Sequence, residues 1–156
     1  MNTTTKAPAV FDSFTIERTL KSPPARVFHA FANEEAKMKW FGGGAECTQL
    51  IREMDFRIGG HEREKGRWVE SGVTSDFHCY YHDIVPNERI VFSYKMLLDD
   101  APISVSINTV EFEPHGTGTK LKFTEQGVFI NGFEDGGGRE HGSNELMDKL
   151  AASVDG

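Results

Sequence analysis

The sequence predicts an α+β domain in which a curved antiparallel sheet of six or seven strands wraps around a long C-terminal helix. Three observations predict this fold. Residues near the start of the chain alternate as in a strand and then switch to a helical period, the middle consists of β-rich segments, and a helical period returns at 139–154. Because the connections between the β-rich segments are short, neighbouring strands are expected to run antiparallel as a meander.

The first element is a strand that follows a loose tail. Residues 1–9 lack periodicity and are expected to be flexible, whereas 10–156 are expected to form a single domain. Phe14, Ile16 and Leu20 alternate with polar residues, which is the period of a half-buried strand.

Two short helices are predicted after this strand. Ser22 is a good N-cap residue and Pro23 suits the first helical position, where its missing N–H costs nothing. Asn33 is expected to cap a second short helix, which the glycines at 42–44 end.

The central strands are predicted from β-rich composition between turn residues. Their expected ranges are 45–54, 55–65, 76–85, 88–98, 103–113 and 118–129. In the fourth of these, Ile90, Phe92, Tyr94 and Met96 share one face, which is the pattern of an apolar wall with one polar tip. We expect Phe92 and Tyr94 to point inward, with the Tyr94 hydroxyl either hydrogen-bonded internally or facing ligand space.

The last helix carries one apolar stripe, formed by Leu146, Met147, Leu150 and Val154. Four glycines at 132–138 precede it, and helix propensity does not explain them. One interpretation is that 131–138 is a mobile gate in which Phe133 acts as an apolar plug. The alternative is a surface loop with Phe133 packed permanently.

Charge and composition exclude several function classes. The chain of 156 residues has 17 Lys and Arg against 24 Asp and Glu, a net charge of -7, so nucleic acid and anionic membranes are not expected partners. No apolar run is long enough to span a membrane, and no apolar signal core follows Met1. With two isolated cysteines, a cytoplasmic location is the default expectation.

Metal and nucleotide sites are not predicted. His78 and His82 share a strand face with Tyr80, but positions four apart on a strand lie about 13 Å apart, too far for one ion. The opposite face, with Phe77 and Tyr81, is more apolar, so the histidines are expected on the outer face. No phosphate-binding glycine motif is present, and we expect neither a metal nor a cofactor.

Two charged residues fall on faces that should be apolar. Arg18 shares the parity of Phe14, and Glu125 shares that of Phe123. Because an unpaired buried charge is costly, the two are expected either to pair with each other and join the first and last strands, or to face a wet cavity and anchor a ligand head group.

Short motifs lie along the chain at 17–28, Trp40–Gly43, Met54–Gly60, Asp83–Val91, Val110–Pro114, Thr124–Gly127 and Arg139–Gly142. In this order they resemble the SRPBCC superfamily, whose fold is called START-like or helix-grip. Within it, the chain is similar to the group named after the activator of the ATPase of heat-shock protein 90. The resemblance implies the helix-grip fold and the pairing of the first strand with the last, but no particular activity.

The resulting hypothesis is a domain, monomeric or homodimeric, that binds an unidentified apolar or aromatic molecule between sheet and helix, and it is more a binding module than an enzyme. The expected cavity residues are Phe14, Arg18, Phe77, Tyr81, Phe92, Tyr94, Phe123, Glu125, Phe133, Leu146 and Leu150. One alternative is a cyclase- or hydratase-like enzyme that uses a cavity tyrosine or carboxylate as acid or base. The other is a co-chaperone-like interaction module for heat-shock protein 90, which would show an exposed apolar patch and no cavity.

Overall fold

The fold is described from a computed structural model that covers residues 7–133 and 137–156. Its elements in chain order are β1 (Val10–Leu20), α1 (Pro24–Ala32), α2 (Glu34–Lys37), β2 (Cys47–Met54), β3 (His61–Trp68), β4 (Thr74–Val85), β5 (Arg89–Leu98), β6 (Ala101–His115), β7 (Gly118–Phe129) and α3 (Gly138–Asp155). A single 3-10 turn, Gly44–Glu46, precedes β2. Residues 1–6 of the predicted tail 1–9 lie outside the described residues.

The seven strands form one curved antiparallel sheet in the order β1-β7-β6-β5-β4-β3-β2. Strands β2 to β7 follow one another as a meander, and β1 closes the sheet by pairing with β7, with Phe14 opposite Glu125. The predicted fold class and the pairing of the first strand with the last are therefore confirmed.

The start of α1 differs from the prediction. Pro23 occupies the N-cap position without a side-chain cap, and the Ser22 hydroxyl instead donates to Val154 O at 2.6 Å. Ser22 is buried, so its hydroxyl satisfies a carbonyl at the end of α3 rather than an amide of α1. The expected cap of α2 is present, because Asn33 Oδ1 accepts from the Ala36 amide at 2.9 Å.

The third strand begins later than predicted, at His61 rather than 55. Residues 55–60 form a tight turn in which Asp55 N donates to His61 O and Gly60 N donates to Arg57 O. A Cβ at Gly60 would lie 2.1 Å from Asp55 O, so only glycine fits this close approach.

The hydrophobic core lies between the concave face of the sheet and the helices α1 and α3. Val27 of α1 and Leu150 of α3 are fully buried, and Met147 and Val154 complete the predicted stripe of α3. Phe92 and Tyr94 point inward, as the alternation in β5 predicts, whereas Lys95 is exposed.

The histidines of β4 lie on the outer face, as expected. Tyr80 and His82 are exposed and His78 is half-buried, where its Nε2 lies 3.1 Å from Asp76 Oδ1. The inward face of the same strand carries Phe77 and Tyr81, both buried.

Candidate ligand-binding pocket

A pocket of about 590 Å³ lies between the concave face of the sheet and α3. Ten aromatic side chains of the described residues line it, and they come from α1, β3, β4, β5, β7 and the segments after α2 and β7. The sheet supplies its inward positions, which alternate with exposed ones along each strand. Aromatic side chains therefore form a large part of the wall, and nine non-aromatic side chains of the described residues add polar atoms.

Most of the residues expected at a cavity line this pocket. These are Phe77, Phe92, Tyr94, Phe123, Glu125, Phe133 and Leu146. Four others do not line it: Phe14, Arg18, Tyr81 and Leu150. Phe14 and Leu150 are core residues, and Tyr81 is buried with its hydroxyl turned to Glu62.

Arg18 and Glu125 do not pair, which corrects one of the two expectations for them. In the β1–β7 register Glu125 lies opposite Phe14, whereas Arg18 lies opposite Leu121, four residues further along. Arg18 bonds instead to α3, through Asn144 Oδ1 at 2.9 Å and Asp148 Oδ1 at 3.2 Å. Parity predicted the inward face of both residues, but not the register that separates them.

Glu125 is the centre of a buried polar cluster at one end of the pocket. The Glu125 cluster consists of Glu125, Tyr94, Asn108 and Arg139. Tyr94 donates its hydroxyl hydrogen to the carboxylate, with oxygen distances of 2.9 and 3.0 Å, and Asn108 Nδ2 donates at 2.9 Å. Arg139 of α3 contacts Glu125 Oε2 at 3.2 Å, and its guanidinium stacks over the rings of Tyr94 and Phe129.

The environment of Tyr94 limits what its hydroxyl can do. Burial and the negative charge of Glu125 raise the pKa of Tyr94 well above its ordinary value. Tyr94 is therefore a neutral donor at physiological pH and not a general base. Both oxygens of Glu125 already accept hydrogen bonds from Tyr94. Because Arg139 of α3 also contacts Glu125, this cluster holds α3 against the sheet.

A second buried cluster is formed by side chains of α2, β2, β3 and β4. The Glu62 cluster consists of Glu62, Lys37, Arg52 and Tyr81. Lys37 Nζ and Arg52 Nη1 each lie 2.6 Å from a Glu62 oxygen, and Tyr81 donates its hydroxyl hydrogen to the same carboxylate. Burial alone would raise the pKa of Glu62, but the charges of Lys37 and Arg52 hold it below its usual value.

Lys37 connects the Glu62 cluster to the pocket. Its ammonium lies 4.8 Å from the centre of the Phe41 ring and 6.0 Å from that of Phe77, and all three residues line the pocket. Cation–π contacts of this kind are stronger where water is excluded. The aromatic wall is therefore positioned partly by a buried cation.

Of the two buried carboxylates that line the pocket, Glu64 has fewer hydrogen-bond donors than Glu125. It lies two residues after Glu62 on the same face of β3 and its side chain is 7% exposed. Gln49 Nε2 donates to its Oε2 at 3.3 Å, and Arg52 Nη1 lies 3.6 Å from the same oxygen. Burial raises the pKa of Glu64, and the charge of Arg52 offsets this only in part.

The two cysteines are poor nucleophiles. Cys47 lines the pocket, and its pKa is raised by burial and by the charge of Glu64. Cys79 is buried, which raises its pKa to about 12. Since the thiolate is the reactive form, both thiols are less reactive at neutral pH than an ordinary cysteine. A Cβ at Gly66 would lie 2.3 Å from Cys47 Sγ, so a larger residue there would require the Cys47 side chain to move.

The rim of the pocket includes the first turns of α3. Gly138, Glu145 and Lys149 are exposed lining residues, and Phe133 is 38% exposed at the same rim. The predicted gate 131–138 contains residues 134–136, which lie outside the described part of the chain, so the gate stays a prediction.

Several lining residues were missed by the sequence reasoning. Glu64, Trp68 and Gly66 come from β3, whose charged residues at nearly every position give no apolar face to recognise. Arg139 belongs to one of the motifs that resemble the family, and this motif was the only feature of the sequence that could have singled it out. Asn108 shares the parity of Val110 and Phe112 in β6, but a polar residue at that position gave no reason to place it in a pocket.

The sheet, its C-terminal helix and the pocket between them define a domain of the SRPBCC superfamily. The family described as activator of Hsp90 ATPase homolog 1-like protein matches residues 21–155, and the chain belongs to this family. No functionally curated protein matches the sequence.

Solved structures of bacterial proteins have the same fold. An uncharacterised protein from Rhizobium leguminosarum is 41% identical, with a TM-score of 0.90 over 97% of this chain and 98% of that one. The Mll3558 protein from Rhizobium loti is 40% identical, with a TM-score of 0.87 over 95% and 100%. An AHSA1-like protein from Aeromonas hydrophila, 15% identical with a TM-score of 0.67 over 92% of each chain, shares the fold alone.

The described residues contain neither a membrane-crossing helix nor a cluster of metal ligands. Within 7–133 and 137–156, no helix is both long and apolar enough to cross a membrane. In the same part of the chain, no group of three or more His, Cys, Asp or Glu side chains could hold a metal ion.

Proposed function

We propose that this domain binds one small, mostly apolar or aromatic molecule in the pocket between the sheet and α3. The observation that carries the proposal is the aromatic lining of a pocket of about 590 Å³. That volume lies within the roughly 300–1,000 Å³ of small-molecule sites. Domains of this class often bind hydrophobic ligands, which supports the same assignment.

Native mass spectrometry of freshly purified protein tests this proposal directly. Water against aromatic walls is poorly hydrogen-bonded, and an apolar molecule that enters the pocket displaces it. An apolar ligand from the expression host is therefore expected to remain bound. The expected result is a discrete added mass that organic extraction removes and that chemical analysis identifies as an apolar molecule.

Gly142 of α3 offers a matched pair of variants for the same test. It lines the pocket, and a Cβ placed there meets no atom within 4 Å. Gly142→Phe is expected to fill the pocket and abolish binding, whereas Gly142→Ala should leave the pocket open. Both variants replace a glycine inside a helix, where glycine is less favourable than alanine by about 1 kcal/mol, so neither is expected to destabilise α3 through helix propensity. Loss of binding in Gly142→Phe alone would therefore show that the new side chain blocks the pocket. Equal binding by both variants would contradict the proposal.

Acid–base catalysis is a second candidate function, and Glu64 is the observation that favours it. A buried carboxyl with a raised pKa at a pocket can hold a proton at higher pH than an ordinary glutamate and deliver it to a bound molecule. The tyrosine version of this hypothesis has less support, because burial raises the pKa of both Tyr81 and Tyr94. Chemical change of the bound molecule in wild type but not in Glu64→Gln would favour catalysis; recovery of the molecule unchanged would favour binding.

A chaperone-interaction role has less support than ligand binding. That hypothesis expected an exposed apolar patch and no cavity, whereas a pocket is present here. The exposed apolar side chains Phe11, Val105 and Ile107 lie on the outer face of β1 and β6, away from the pocket. A pull-down with heat-shock protein 90 that depended on these three residues would favour the interaction role.

A further inference from the structure

One carboxylate oxygen of the pocket, Glu64 Oε1, remains accessible and has no protein donor among the described residues. Glu64 Oε2 accepts from Gln49 and lies near Arg52, but Oε1 has no hydrogen-bond partner among residues 7–133 and 137–156. The side chain is more than nine-tenths buried and lines the pocket. A Cβ added to Gly42, another lining residue, would lie 3.4 Å from Glu64 Oε1, so this oxygen lies beside the pocket wall at Gly42. An accessible acceptor inside a largely enclosed pocket is available to a donor group of a bound molecule.

The other buried carboxylate of the pocket is already satisfied. Glu125 Oε1 accepts from Tyr94 and Asn108, and Glu125 Oε2 accepts from Tyr94 and Arg139. A ligand that bonded to Glu125 would have to displace one of these donors. Glu64 Oε1 can accept a bond from a ligand at no such cost.

The charges around the pocket indicate which kind of donor fits. Three cationic and three anionic side chains line it: Lys37, Arg139 and Lys149 against Glu64, Glu125 and Glu145. An ammonium or carboxylate on the ligand would leave this balanced set with an uncompensated charge inside an aromatic wall. A neutral group avoids that cost.

We propose that the ligand carries a neutral hydrogen-bond donor, a hydroxyl or an N–H on an aromatic or apolar body, and that this group donates to Glu64 Oε1. This inference rests on the proposed function and adds to it the polar group of the ligand and the residue that selects it. Lys37 with the rings of Phe41 and Phe77 then lies beside the aromatic body, at the same end of the pocket.

A ligand that donates a hydrogen bond to Glu64 should bind more weakly at acidic pH than at neutral pH. Burial raises the pKa of Glu64, and the charged or titratable groups that face it are Arg52, Lys37, Glu62, Glu34 and Cys47. A donor hydrogen bond favours the ionised carboxyl. Affinity should therefore be highest at neutral pH and fall as pH falls through the pKa of Glu64. A naphthol hydroxyl, like that of tyrosine, stays neutral over this range.

Two probes of similar size test the proposal: 2-naphthol, which can donate a hydrogen bond, and 2-acetonaphthone, which can only accept one. Calorimetric titration of ligand-free wild-type protein at neutral pH should give about tenfold tighter binding of the naphthol, as expected for a hydrogen bond to a charged group.

The Glu64→Gln variant should invert this preference. Gln49 and Arg52 both present hydrogens to the Oε2 position, so the amide oxygen should take that position and turn the amide NH₂ toward the pocket. The variant should then bind 2-acetonaphthone more tightly than 2-naphthol. Glu53→Gln removes the same charge from an exposed position of β2 outside the pocket and should leave the preference unchanged.

The outcomes separate this proposal from the proposed function. If neither probe binds wild type, the proposed function fails. If both bind with equal affinity and Glu64→Gln changes neither, the pocket binds ligands but the donor proposal is overturned. If Glu64→Gln does not fold, the pH series on wild type decides, because naphthol affinity that stays constant from about pH 8 down to about pH 4, below the ordinary carboxyl pKa, overturns the proposal.

Discussion

The Lys37 ammonium lies 2.6 Å from Glu62 Oε1, and both side chains are almost fully buried. This ion pair joins the short helix α2 to strand β3 and holds a cation beside the Phe41 ring. Arg52 Nη1 binds the second oxygen of Glu62 at the same distance, so the carboxylate is compensated on both sides. The ion pair therefore fixes the position of Lys37, whose ammonium contacts the aromatic wall of the pocket.

Removing the charge of Glu62 should destabilise the fold. Glu62→Gln leaves Lys37 and Arg52 buried without a compensating carboxylate, and breaking a buried pair in this way costs about 3 kcal/mol or more. Urea denaturation at neutral pH measures the free energy of unfolding. Glu53→Gln, which removes the same charge from an exposed side chain of β2, is the matched control and should change it by less than about 0.5 kcal/mol. Equal losses in both variants would contradict the special role of Glu62.

The stability of the fold should fall on the acid side of the ordinary carboxyl pKa. Glu62 has a folded-state pKa below its ordinary value of 4.5, so its contribution is complete above that value and is lost as pH falls through the folded-state pKa. Denaturation between about pH 6 and about pH 2 should show a steeper loss in wild type than in Glu62→Gln. Parallel curves for the two proteins would contradict this assignment.

Removing the Tyr94 hydroxyl should destabilise the junction of α3 with the sheet. Tyr94→Phe takes one donor from Glu125, but Asn108 and Arg139 remain, so the expected cost is about 1–3 kcal/mol. Tyr80→Phe, on the exposed face of β4, should cost less than about 0.5 kcal/mol. The thermal midpoints of both variants and wild type provide the comparison, and a Tyr94→Phe midpoint equal to that of wild type would contradict the prediction.

Shortening Phe133 should speed ligand uptake if it acts as a plug at the rim. Phe133→Ala removes an apolar side chain that lines the pocket, so stopped-flow uptake of 2-naphthol is expected to be faster with little change in the folded state. Phe11→Ala, on the outer side of β1, is the control for removing an exposed phenylalanine. Uptake rates equal to wild type would favour the permanently packed alternative.

Glycine substitution is a poorer test of the same gate. Gly137 has φ +92°, a conformation that alanine adopts only with strain, so Gly137→Ala would change stability as well as mobility. The Phe133 variant avoids this effect.

The elements with a clear period were predictable from sequence. The alternation of Ile90, Phe92 and Tyr94 gave the inward face of β5, and the stripe of Met147 and Leu150 gave the buried face of α3. In each case the residues on one face share a single character, so local periodicity is enough to assign the face.

The polar part of the pocket was less predictable, for two physical reasons. Strand β3 carries charged residues on both faces, and the burial of Glu62 and Glu64 depends on partners from α2 and β2 that lie far away in sequence. The partner of Arg18 depends on the register of β1 against β7 and on the position of Asp148 in α3. Neither long-range relation leaves a local signal in the chain.

The most direct test of the account is the position of a heavy-atom ligand in the crystal. A crystal structure with 6-bromo-2-naphthol should place the anomalous bromine peak within the aromatic pocket and the naphthol oxygen within about 3 Å of Glu64 Oε1. The Gly142→Phe variant, crystallised under the same conditions, should lack the peak. A bromine peak confined to the outer face of the sheet, or an equal peak in the pocket region of Gly142→Phe, would contradict ligand binding between the sheet and α3.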